Sequence, residues 1–275
     1  MSIHGQPNSW QCGPFALKHG LLGLGVFAHE DRLARLAGSN EARGTDERQL
    51  ARAARRYQAD LPVARRGTAA GARAEIEAWV RRGIPVLLCL DQWDHWVTAV
   101  AADAGHVVLF DSKYDAPLLL TPWDEVAARL VYQERRLGSW TRTLYDIHPT
   151  VPRQPTFRLR LTPGRARYLL HPDQAGLAAR WDDYARQALA LAVPSAVQTE
   201  LGTPLADFAA SRRTAILERA AARHGSDDGR AGQILEGIAF AATLYGAALR
   251  PETEARAVEY LAEVVVRLQR MHAAA

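Results

Sequence analysis

Between residues 84 and 111 the chain carries three short, β-rich apolar runs: "IPVLLCL" (Ile84 to Leu90), "HWVTAVAA" (His95 to Ala102) and "HVVLFD" (His106 to Asp111). They are joined only by "DQWD" and by "DAG", the second a good hairpin turn, so consecutive runs are expected to pair antiparallel. This block limits the fold more than anything else in the sequence. Whatever precedes it must cover a small antiparallel sheet.

What precedes it has a helical period. After Cys12, "GPFALKHGLLGLG" reads as a helix whose first position is Pro14, where a missing N–H costs nothing. Further helices are expected over Glu30 to Ala37, in "TDERQLARAARRYQ" with Thr45 or Asp46 as cap, and in "AGARAEIEAWVRRG", ended by Gly83. After the block, "APLLL" and "SWTRTLYDI" read as strands with the helix "PWDEVAARL" between them. Helices first and antiparallel strands second make an α+β pattern over residues 1–150.

From about Val151 the texture changes. "VPRQP" reads as a linker and "TFRLRLT" as a short strand, and helices follow at about Asp173 to Val193, Pro204 to His224, Gly232 to Leu249 and Pro251 to His272. The last places Leu261, Val264, Val265, Leu268 and Met271 at helical spacing. Residues 156–275 are therefore expected to form an all-α domain.

Composition removes several function classes. The two cysteines make no disulfide framework, the first residues lack a signal-peptide layout, and no apolar run approaches the roughly 18 residues that span a bilayer. A soluble protein of a reducing cytoplasm, with no membrane partner, is expected. The net charge of +4 is basic, but the arginines are interleaved with acids and the only lysines are Lys18 and Lys113, so no nucleic-acid partner is expected. "DQWDH" lacks a second histidine at a supporting spacing, so no metal is expected there, and the chemistry below needs no cofactor.

Cys12 lies among turn-forming residues at the start of a helix, a setting whose unpaired N–H groups and dipole favour a thiolate. Cys89, between Leu88 and Leu90, reads as a core thiol. A thiol nucleophile needs a base, and of nine histidines His95 is the best placed: it begins a strand after a polar loop and is followed by the apolar shield Trp96. Asp111 ends the strand hairpin-paired with that one, so antiparallel pairing puts it at the same end as His95, where it can orient the imidazole. Gln6, six positions before Cys12, can donate its amide to the oxyanion formed when a thiolate attacks a carbonyl. Gln11 is the weaker alternative, because adjacent side chains diverge.

Gln6, Cys12-Gly13-Pro14 opening a helix, Gly44-Thr45 before another, then "RRGIPVLLCL", "HWVTAV" and "VVLFD" together resemble the papain-like bacteriocin-processing peptidases, which cut double-glycine leader peptides. The resemblance spans roughly residues 4 to 148. It implies a papain-like fold with Cys12 as nucleophile, His95 as base, Asp111 as its partner and Gln6 as oxyanion donor, acting on a peptide or protein substrate. Many members carry an acid before the cysteine and a proline after the aspartate, where this chain has Gln11 and Ser112. Transporter-linked members continue into a membrane and ATPase portion, whereas this chain continues into helices, for which contact with a regulatory protein or a second copy is the expected role. Two alternatives keep the fold: an acyltransferase or deamidase using the same acyl-enzyme, and a non-enzymatic binding module.

Overall fold

In a computed structural model, which describes residues 3–135, 141–194, 202–224 and 228–273, the chain divides into two compact units, residues 3–179 and residues 180–275. The first is α+β. Helix α1 (Cys12–Gly23), α2 (Glu30–Ala37), α3 (Glu47–Arg55) and α4 (Ala69–Arg81) alternate with the short strands β1 (Ala59–Asp60) and β2 (Ala64–Arg66). They are followed by β3 (Val86–Leu90), β4 (His95–Ala102), β5 (His106–Phe110), β6 (Leu118–Pro122), α5 (Trp123–Leu130), β7 (Tyr132–Arg135), β8 (Thr141–Pro149), β9 (Val151–Pro152), α6 (Pro163–Leu170) and α7 (Ala175–Ala179).

The block that dominates the sequence forms the middle of a seven-stranded sheet of order β2-β8-β3-β4-β5-β6, with β7 paired to β8. Its pairs are antiparallel, with Leu90 opposite His95 and Thr98 opposite Phe110. Side chains alternate across the sheet. Leu87 and Cys89 join Ala16, Leu17 and Leu21 of α1, while Val86, Leu88 and Leu90 join Ile76 of α4 and Val126 of α5. Both faces are covered, and for that reason β3 is one continuous apolar run with every residue buried.

Helix α1 fits close to the sheet because its glycines permit it. A Cβ on Gly20 would stand 2.8 Å from Thr150 Oγ1 and 2.9 Å from Leu87 Cδ1, and one on Gly23 would stand 2.4 Å from Pro85 Cγ. The Thr98 hydroxyl donates to the Ala16 carbonyl at 2.6 Å, fastening helix to sheet through a buried bond. At α3, Asp46 and Gln49 form a reciprocal capping box with both bonds at 2.8 Å, so the cap expected at Thr45 or Asp46 is Asp46.

Several expectations change. Residues 156–162 form no strand: they run beside α1, with the Leu159 N–H donating to the Gly23 carbonyl at 2.8 Å. With α6 and α7 they belong to the first unit, which runs to Ala179. Ser139 and Trp140 of the strand read in "SWTRTLYDI" lie outside the described residues.

The second unit contains α8 (Trp181–Ala190), β10 (Ala192–Val193), α9 (Leu205–Ser211), α10 (Arg213–His224), α11 (Asp228–Tyr245), β11 (Ala248–Leu249) and α12 (Glu254–Ala273). The helix expected over Pro204 to His224 is interrupted at Arg212, and α11 stops at Tyr245, before the left-handed Gly246 (φ 57°). Residues 248–249 pair antiparallel with 192–193 instead of continuing the helix.

Gly23→Ala is expected to destabilise the protein by about 1–3 kcal/mol, since the new methyl meets a proline ring at the helix–sheet contact. Gly67→Ala, where nothing lies within 4 Å of the new Cβ, should stay within about 0.5 kcal/mol of the parent. Urea unfolding of the two variants measures the contrast. Equal midpoints would remove the close-packing account of α1.

Candidate active site

Cys12 is itself the first residue of α1. A single 3-10 turn, Ser9–Gln11, leads into it, and the boundary residue Gln11 supplies no side-chain cap. Pro14 is therefore the third helical residue, not the first, but its missing N–H still falls among the four that lack an intrahelical acceptor. Cys12 is 5% exposed and belongs to the buried cluster that includes Cys89 and Trp96. Thr45 presses on the helix start: a Cβ on Gly13 would lie 2.9 Å from Thr45 Cβ.

His95 begins β4, and its Nε2 donates to Asp111 Oδ1 at 2.6 Å. Asp111 follows directly on β5, is fully buried, and takes a second bond on the same oxygen from the Lys113 N–H at 3.0 Å. Because Nε2 is committed to the carboxylate, Nδ1 is the ring nitrogen left for the thiol. Burial alone would lower the His95 pKa, but hydrogen bonds to Asp111 and Cys12, with their charges, outweigh it and push it up to about 9. At neutral pH the ring is then an imidazolium bonded to the Asp111 carboxylate, with Cys12 among the groups that favour its charge.

Gln6 is held by the segment that follows Asp111. Its N–H donates to the Ser112 carbonyl at 2.7 Å, and the Ser112 hydroxyl donates to Gln6 Oε1 at 2.6 Å. The bond that tells the two ends of the amide apart is the next one, because a carbonyl only accepts whereas a hydroxyl can do either. Gln6 Nε2 donates to the Asn8 carbonyl at 2.7 Å and retains a second hydrogen. Upstream, His4 packs edge-on against Phe15 and accepts from Lys18 Nζ at 3.3 Å, tying this segment to α1. Ser112 is 2% exposed, and its one signal in the sequence is that it stands directly after Asp111, where proline is common in the family resembled.

The loop before His95 is wound left-handed at three consecutive non-glycine residues, Asp91 (φ 56°), Gln92 (φ 60°) and Trp93 (φ 69°). Contacts to α5 and β7 hold it. Asp91 makes a bidentate pair with Arg129 at 3.0 and 2.8 Å, Gln92 Nε2 donates to the Val131 carbonyl at 3.0 Å, and Trp93 stacks on Tyr132 at 3.9 Å. The Arg129 bond keeps Asp91 below the usual carboxylate range. Among the described residues no group of three or more His, Cys, Asp and Glu is placed to hold a metal.

A recess of about 190 Å³ opens between Thr45 and Trp93, with Cys89, Trp96 and His148 in its lining. Trp96 Nε1 donates to the Thr45 carbonyl at 2.9 Å, and the Trp96 ring meets His148 edge-on at 5.2 Å. Burial lowers the His148 pKa to about 4 and pushes the Cys89 thiol up, so both are neutral at pH 7. Cys12 and Cys89 thus differ in surroundings: one touches an imidazolium, the other lies in the sheet.

No protein-family model and no curated protein matches the sequence. Among solved structures the chain is similar to a double-glycine-motif protease from an AMS/PCAT transporter, determined in complex with the leader peptide, at 14% identity and a TM-score of 0.38, over 53% of this chain and 89% of that one. It is also similar to the peptidase domain of Streptococcus ComA, a bifunctional ABC transporter involved in quorum sensing, at 13% identity and a TM-score of 0.39, over 53% of this chain and 96% of that one. Among the described residues no helix is long and apolar enough to cross a membrane.

A histidine whose folded pKa is raised contributes stability that is fully present below its unfolded value, near 6.5, and is lost as pH climbs through the folded value, about 9. Unfolding free energy is therefore expected to fall between pH 6.5 and 9, and Asp111→Asn should flatten that fall. Urea titrations at pH 6, 7.5 and 9 read it. Parallel pH profiles for parent and variant would show that the pair contributes no such linkage.

Proposed function

We propose that the first unit is a papain-like thiol peptidase that hydrolyses amide bonds with Cys12 as nucleophile, His95 as acid and base, Asp111 as its orienting partner and Gln6 as oxyanion donor. One observation carries the reading: the His95 ring is bonded to a buried carboxylate at 2.6 Å, and the thiol at the N-terminus of α1 is among the groups that raise its pKa.

The cycle follows from those contacts. Cys12 Sγ attacks the substrate carbonyl carbon, and the resulting oxyanion accepts from the Cys12 N–H and from the free hydrogen on Gln6 Nε2. His95 Nδ1 gives its proton to the leaving nitrogen as the C–N bond breaks, leaving a thioester and a neutral imidazole. Water then attacks the thioester, Nδ1 takes its proton, and the C–S bond breaks to release the acid. Throughout, the Asp111 bond to Nε2 holds the ring with Nδ1 toward the sulfur. Ser112 acts one step further out, by anchoring the Gln6 amide through its oxygen while the Asn8 carbonyl takes one Nε2 hydrogen.

Cys12→Ala and His95→Ala are expected to abolish cleavage of a peptide library read by mass spectrometry. Gln6→Ala should lower kcat by roughly two to three orders of magnitude with little change in KM. Ser112→Ala should lower kcat by about tenfold, the worth of one orienting hydrogen bond, and should have no further effect in a Gln6→Ala background. In the native protein iodoacetamide should alkylate Cys12 and spare Cys89. Cleavage surviving in Cys12→Ala would end the peptidase reading, and additive losses for Gln6 and Ser112 would end the positioning role.

A further inference from the structure

Away from this site, a cleft of about 410 Å³ lies between the C-terminal end of α4, the end of β4 and residues 158–163. Arg81, Arg82, Arg158 and Arg160 line it, and no aspartate, glutamate or histidine does. The alternation in "RLRL" explains two of these. Leu159 and Leu161, at 4% and 5% exposure, turn into the core, so in an extended segment Arg158 and Arg160 fall together on the other side. The other two stand at the end of α4, where the chain turns through left-handed Gly83 (φ 68°). A Cβ on Gly83 would stand 2.9 Å from Arg158 Cβ, so glycine is what lets the Arg158 stem lie across the turn.

Among the described residues, carboxylates do little to neutralise these charges. Among the described residues no carboxylate stands within ion-pair distance of Arg82, Arg158 or Arg160. The nearest to Arg81 is Glu77 at 3.8 Å, which already holds Arg73 at 2.8 Å. The Arg82 guanidinium lies over the Trp79 ring, and Arg158 donates to the Thr156 hydroxyl and the Phe157 carbonyl. Arginines at a helix C-terminus are ordinary, because they answer the dipole there. That accounts for Arg81 and Arg82, but not for Arg158 and Arg160 set against them, where like charges repel. Burial and the neighbouring Arg82 both disfavour the Arg158 cation, a cost that a bound anion would relieve.

We propose that this cleft binds a small ligand carrying two or more linked phosphate groups, held by Arg82 and Arg158 with Arg81 and Arg160 at its edge. Guanidinium forks match phosphate oxygens in pairs, and the volume is that of a small-molecule site. On one side the positive surface gives out. The adjoining recess, which shares Val80, Arg81 and Ala102, contains Glu77 and Asp103, so carboxylates close off that direction. The site is separate from Cys12 and does not depend on the peptidase reading.

Calorimetric titration of the full chain at fixed ionic strength, with inorganic triphosphate, ATP, sulfate and a single-stranded oligonucleotide, tests it. One saturable triphosphate site is expected, with binding weakened at least about tenfold in both Arg82→Gln and Arg158→Gln and unchanged in Arg48→Gln on α3. Equal affinity for triphosphate and ATP would identify the phosphate chain alone as the ligand chemistry, and tighter ATP binding a nucleotide; either supports the site. Arg160→Gln, on an exposed side chain, gives the same reading should Arg158→Gln fail to fold. Triphosphate heats no larger than those of sulfate, affinity unaltered in the arginine variants, or tighter binding of the oligonucleotide would each overturn the proposal. Peptidase assays of the same variants separate its failure from that of Cys12.

Discussion

The first unit depends on the burial of α1 from every side. All of its residues are buried, Lys18 and His19 included. A charge so placed needs a partner, and Lys18 has Glu30 at 3.0 Å. His19 takes the other solution: burial, helped by Lys18 and His4, lowers its pKa to about 3, so the ring stays neutral. A helix enclosed in this way has little freedom to shift along its axis or rotate about it. Its first residue, Cys12, is thereby held against the sheet with the same precision as the core.

The opposing side of the site is set by strain. Left-handed backbone costs about 1 kcal/mol or more at each non-glycine residue, and the three residues Asp91, Gln92 and Trp93 adopt it in succession. The Arg129 pair, the Gln92 bonds to the chain around Val131 and Gln133, and the Trp93–Tyr132 stack offset that cost. The turn determines where β4 begins, and β4 begins with His95. Arg129 and Tyr132 therefore bear on the imidazole without touching it.

Between these two sides runs a connected set of hydrogen bonds. The His95 ring reaches Asp111, the Asp111 carboxylate takes the Lys113 N–H, and the intervening Ser112 holds Gln6 by both backbone and hydroxyl. One short segment after β5 thus orients the His95 ring and the Gln6 amide together. The Ser112 hydroxyl holds the Gln6 amide at one end and the Asn8 carbonyl, which can only accept, holds it at the other, so the amide oxygen faces Ser112.

Much of this was legible locally. The helix of Glu30 to Ala37 and the strand of His95 to Ala102 have the ends their periodicity implies, and the closeness of His95 and Asp111 follows from antiparallel pairing of neighbouring strands. The short-range signals misled where packing overrode them: "TFRLRLT" alternates like a strand, yet finds α1 where a strand would need a ladder partner. Helix α11 ends at Gly246 because residues 248–249 pair with 192–193 across a wide sequence gap. The sequence by itself determined most of the first unit's helices and strands and the apolar faces they bury, which depend on neighbours within a turn or two. Only the tertiary structure decided that Ser112 grips Gln6 from 106 positions away, and that Arg158 and Arg160 lie against the end of α4. Such contacts are fixed by how buried surfaces close-pack, and no local window of sequence contains both partners.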